Sequence, residues 1–199
     1  MAVAALALLL AGLRVQTGVS GPPGATVAAP LAAYGSALPG VPAPPVSLVD
    51  PSGGTVSLGA FRGRVVVLAF IDRRAADAAD TAALLRTFVE EIGPRAARVQ
   101  LLAVNTDPSA TPAQLSAWAA AQGMAGRWRI LTGSAAALQR VAGAYHIGRD
   151  LNGGQLVHTS ATYVIDARGR ERWVLSTAGA SSLTAEAHAL AAAVLPLIG

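Results

Sequence analysis

"RVVVLAFID", residues 64–72, is an unbroken run of β-branched and apolar side chains between one basic and one acidic residue. A strand with one face in water alternates apolar and polar residues, so a continuous run of this length predicts a strand covered on both faces. Downstream, Leu84, Leu85, Phe88 and Ile92 recur at helical spacing over residues 77–92, and Gly93-Pro94 stops the pattern. "RVQLLAVNTD" (98–107) then repeats the first signature and predicts a second buried strand. Two buried strands joined through a helix imply a right-handed parallel crossover.

The elements on either side extend this unit. Before it, "VSLVDPSGGTVSLGAF" (46–61) holds two short alternating stretches around the turn residues Asp50 to Gly54, an entry hairpin. After it, Thr111-Pro112 opens a helix, with a hydroxyl cap and proline at the first helical position, that ends at Gly123. "WRILTG" (128–133) reads as a short strand, and Ser134 caps a helix carrying Leu138, Val141 and Tyr145. "IGRDLNGGQLVHTS" (147–160) reads as a loop with a Gly-Gly turn, and "ATYVIDARGRERWVLST" (161–177) as two strands around a turn at Asp166 to Gly169. A final helix over 183–197 puts Leu183, Ala187, Leu190 and Val194 on one side. The expected fold is α/β: a central mixed sheet flanked by helices, preceded by a β-hairpin extension, which is the plan of a thioredoxin-like domain.

The front of the chain is different in kind. "AVAALALLLAGL" (2–13) would span about 18 Å as a helix, short of the roughly 30 Å of a bilayer core. It suits the apolar region of a signal peptide, yet no basic residue precedes it, as expected of a leader or membrane anchor lacking its first residues. Residues 15–45 are rich in Gly, Pro, Ala and Ser without apolar period, a linker whose flexible span is about 30 Å. The expected division is a leader or anchor over 1–14, a tether over 15–45 and a single domain over 46–199, placed outside the cytoplasmic membrane and either anchored to it by the leader or secreted.

Composition removes whole classes of chemistry. Among 199 residues there is no cysteine, which excludes disulfides, thiolate metal sites, thiol nucleophiles and a lipoprotein anchor. All fifteen basic side chains are arginine, and they are scattered over the sequence. With no stripe in which basic and aromatic residues interleave, a nucleic-acid partner is not expected. Ser134 and Ser160 lack a G-x-S-x-G context, and no lysine exists to complete a phosphate-binding loop.

Four strings, in this order, resemble the Sco/SenC family of copper-binding, thioredoxin-fold proteins that help to assemble cytochrome c oxidase. They are "VSLVDPSGGTVSLGAFRGRVVVLAF", "AVNTDPSATPAQLSAWA" with Asp107, Pro108, Thr111 and Pro112, "RILTGSAAALQRVAGAYHI", and "VHTSATYVIDARGR". Together they cover residues 44 to about 177. The resemblance implies a Cys-Pro-x-x-Cys-Pro motif after the first central strand and a histidine as third copper ligand. Here "AADAAD" (75–80) stands in that place: Ala75 and Ala79 occupy the cysteine positions, Ala76 and Asp80 those of the prolines, and His158 matches the histidine.

Copper(I) prefers sulfur donors, and the remaining candidates are His158, Asp77, Asp80 and the distant Met124. His158 and Asp77 are the metal-site candidates, able at most to hold copper(II) weakly, and no cofactor is expected. For each there is a plainer role: a hydrogen-bonded structural histidine for His158, helix capping for Asp77 and Asp80. Likewise His146 is expected at helix-terminal carbonyls, His188 in solvent, and Asp72-Arg73-Arg74 as a surface ion pair. The resulting expectation is a binding or assembly module with a protein partner and no catalytic residues. The alternatives are a copper chaperone using His158 and carboxylates, and a thiol-disulfide or peroxiredoxin-like oxidoreductase, which the lack of cysteine disfavours.

Overall fold

A computed structural model of the chain describes residues 33–152, 155–158, 160–176 and 182–199, and for strand residues 149–152 and 155–158 it describes the backbone. The leader and most of the tether lie outside the described residues. A six-stranded mixed sheet has the order β1 (Gly35–Ala37), β10 (Glu171–Ser176), β9 (Ala161–Ile165), β4 (Val65–Ile71), β5 (Val99–Asn105), β6 (Arg129–Leu131). β4, β5 and β6 run parallel, whereas β9 lies antiparallel to β4.

The run that opened the sequence reading behaves as its composition requires. Every residue of β4 is buried, and successive side chains feed two different cores. Val65, Val67, Ala69 and Ile71 pack under α1 (Ala78–Ile92), α2 (Pro112–Ala121) and α4 (Leu183–Ile198). Val66, Leu68 and Phe70 pack under α3 (Ala135–Ala144) and the entry hairpin of β2 (Ser47–Val49) and β3 (Thr55–Ser57). In that second core Tyr163 donates its hydroxyl to the Tyr145 carbonyl at 2.6 Å, and Tyr145 donates its own to Pro44.

The expected start of α2 is present as a full capping box. Thr111 Oγ1 accepts from the Gln114 N–H at 3.3 Å, and Gln114 Oε1 accepts from the Thr111 N–H at 3.0 Å. Thr111→Ala removes half of this exchange and should cost about 1 kcal/mol, read as a fall of several degrees in the thermal midpoint.

Two segments differ from expectation. Residues 35–43 do not belong to the tether: Gly35–Ala37 pairs with β10, and the Ala43 N–H donates to the Gly169 carbonyl, so the folded unit begins before Val46. The strand is three residues of small side chains at a sheet edge, too short for its alternation to register in the sequence. Residues 147–160 are more than a loop, because β7 (Arg149–Asn152) and β8 (Gln155–His158) form a separate antiparallel ribbon. Their Gly-Gly turn lies outside the described residues.

Candidate functional site

Ligand sites in open α/β sheets gather at the carboxyl ends of parallel strands. β4 and β5 end here at Asp72 and, two residues past the strand, Asp107, both fully buried. Arg74 joins them. Its Nε and Nη2 donate to Asp72 Oδ1 and Oδ2 at 3.2 and 3.3 Å, and Nη2 lies 3.1 Å from Asp107 Oδ1. Asp107 Oδ1 also accepts from the Ser109 N–H and hydroxyl at 3.0 and 2.6 Å. Arg73 reaches outward, donating to Gln114 Oε1 at 3.3 Å, with its Nε 3.9 Å from Asp107 Oδ2.

The surface ion pair expected of Asp72-Arg73-Arg74 is therefore a different object. Carboxylates with no access to water need an opposite charge and hydrogen bonds together, and Arg74 supplies both across two strands. The loop is further held by its backbone, since the Ala75 N–H donates to the Asp72 carbonyl at 2.8 Å.

Ala75 is half-buried in that loop, and Ala79 is exposed in the first turn of α1. Asp77 stands at the N-cap of α1 but makes no side-chain cap bond, contrary to the capping role expected of it. Its backbone is helical in conformation, and its carboxylate is turned across this pole of the sheet, the carboxyl ends of β4 and β5, where Oδ2 accepts the hydroxyl of Ser160. Asp80 is exposed in the first turn of α1, where its charge complements the helix dipole.

His158 ends β8, opposite Arg149, two residues before Ser160. Its side chain lies outside the described residues. The structure thus brings the Ala75–Ala79 segment and the histidine segment together through Asp77 and Ser160. Met124 is far from a donor role, being fully buried in the core under α2. No group of three or more His, Asp or Glu side chains among the described residues could hold a metal ion. With alanine at positions 75 and 79 and Asp77 engaged by a hydroxyl, the donors among the described residues do not suit copper(I).

The other histidines are accounted for. His146 takes a left-handed conformation (φ 55°) just past α3 and meets the helix end through its backbone, donating to the Gly143 carbonyl at 3.1 Å. His188 is not simply in solvent; its Nδ1 contacts Glu91 of α1 at 2.5 Å. A group the sequence reading passed over is Glu186, buried in the first turn of α4. Its position there matches the ordinary preference for acids at helix starts, so the pattern alone gives no sign of burial. Beside the pole, an apolar groove of about 530 Å³ is lined by Thr106, Pro108, Leu138, Gln139 and Ile147.

The model of the AhpC/TSA family matches residues 39–174, two-thirds of the chain. The chain belongs to the AhpC/TSA family. Within that thioredoxin-like family its similar solved structures include several Sco/SenC proteins. The apo Sco1 protein of Thermus thermophilus is 27% identical, with a TM-score of 0.65 over 82% of this chain and 96% of that one. A SCO1/SenC family lipoprotein of Bacillus anthracis is 21% identical, with a TM-score of 0.65 over 82% and 98%. The copper-bound ScoI of Arabidopsis thaliana is 17% identical, with a TM-score of 0.62 over 77% and 98%. The last two show likeness of fold alone. No curated protein matches the chain.

Proposed function

We propose that this AhpC/TSA-family chain is a Sco-like binding or assembly module, acting outside the cytoplasmic membrane through protein contacts and without electron exchange. One observation carries the reading: the loop after β4, where the Sco/SenC resemblance implies thiols, is locked by Arg74 between two buried carboxylates, and its residues 75 and 79 are alanines. Thiol exchange needs an attacking thiolate, which this chain does not have. A fixed loop beside an apolar groove presents a constant surface, which suits recognition. The apolar leader and tether support placement across and outside a membrane. No helix among the described residues is long and apolar enough to cross one. By the Sco/SenC resemblance, the partner belongs to respiratory-complex assembly or envelope maintenance.

Copper delivery through His158 and Asp77 is the second reading, resting on the Sco/SenC resemblance of residues 44 to about 177. A competitive titration of the full chain with Cu(I) and Cu(II), alongside His158→Ala, separates the two. The expected result is no binding tighter than about micromolar, equivalent to about 8 kcal/mol. Tighter binding that disappears in the variant would instead establish copper handling.

A further inference from the structure

Glu186 is 1% exposed, and neither of its carboxylate oxygens has a hydrogen-bond partner among the described residues. It lines a small cavity, too tight to admit water, between α1, α4 and the strands β9 and β10, with Tyr34, Leu84, Thr162, Ser176 and Leu190. Thr162 Oγ1, in the same cavity, also has no hydrogen-bond partner among the described residues. None of the described residues lining the cavity is basic.

The titratable neighbours on the surrounding elements work in one direction. From α1, Asp80 acts on Glu186 as a like charge. Tyr34, preceding β1, contributes a phenol, and β9 and β10 contribute only Thr162, Leu175 and Ser176 to the cavity. On α4 itself, His188 is held by Glu91 of α1. Burial first, and the Asp80 charge second, push the Glu186 carboxyl up to about 7.

We propose that Glu186 is a proton-operated latch on the first turn of α4. With the carboxyl neutral, the turn seats against β9 and β10 and closes the cavity that Tyr34 also walls. Ionised, the carboxylate has no donor inside and leaves for water, and the turn opens with it. Opening also releases the side of α1 that carries Asp80, one residue past Ala79, so the latch reports to the candidate pole. This inference is independent of the proposed function.

The sign follows from linkage. A carboxyl whose folded pKa lies above its ordinary 4.5 stabilises the closed form fully below that value and loses the effect as pH rises to about 7. Hydrogen exchange of the full chain, corrected for intrinsic amide chemistry, should show the α4 turn around Glu186 opening about seventyfold more readily at pH 8 than at pH 5, the ratio that a shift from 4.5 to about 7 implies. Glu186→Gln should abolish that difference. A wild-type chain with no difference, or a Gln variant that keeps it, would overturn the latch. If the variant does not fold, the carbon-13 signal of the wild-type carboxyl decides: a midpoint near 7 supports the latch and one near 4.5 refutes it.

Discussion

Arg74→Ala should destabilise the fold by about 3 kcal/mol at neutral pH, the lower end of the range for breaking a buried ion pair. The substitution leaves Asp72 and Asp107 fully buried, without the guanidinium that bonds both. The lower end applies because the Arg74 side chain is 45% exposed, so water can enter the space it vacates. The loss should depend on pH in a way that lost packing would not. Each buried carboxylate then carries its charge without the guanidinium, and protonation removes that charge, so the deficit against wild type should be largest near pH 7 and shrink towards pH 4. Urea unfolding at the two pH values measures this. An equal deficit at both would mean that Arg74 acts by packing its stem and not by its charge.

The second large effect is a gain. Ala75→Cys combined with Ala79→Cys should raise Cu(I) affinity at least a thousandfold over the wild-type chain, about 4 kcal/mol, in a competitive titration under reducing conditions. The reason is donor chemistry: two thiolates suit a soft ion that the present oxygen and imidazole donors do not. Residue 79 lies in the first turn of α1, where the helix dipole favours the thiolate over the thiol. Addition of His158→Ala should then weaken the new site. If the double variant gains nothing, either these alanines are not the family's ligand positions or the Arg74 lock holds the loop in a shape that cannot converge on a metal. Repeating the test with Arg74→Ala separates those explanations.

The sheet was readable in the sequence because burial of β4 on both faces forces an unbroken apolar run, and the capping box of α2 was readable because Thr111 and Gln114 are local neighbours. The character of the pole was not. Arg74 and Asp107 are distant in sequence and meet only because β4 and β5 pair in register from Val65 and Val99 onward. No spacing rule predicts that contact, and "DRR" on its own reads as solvated charge. Asp77 misled for the related reason that a cap position constrains the backbone, while its side chain answered to Ser160 from another part of the chain. Glu186 is the inverse case: a final helix over 183–197 is legible in the sequence, but burial of Glu186 depends on α1, β9, β10 and Tyr34 closing over it.

The place of β4 at the centre of the sheet also sets an order of events during synthesis. One edge is satisfied by β5, which follows after a single helix, but the other waits for β9, where Val66 pairs with Ile165. A chain made from its N-terminus therefore carries its most apolar strand with one open hydrogen-bonding edge until the final third of the protein has emerged. Until then that edge is open to pairing with another chain, so the separation in sequence between the two partners of β4 sets how long the exposure lasts.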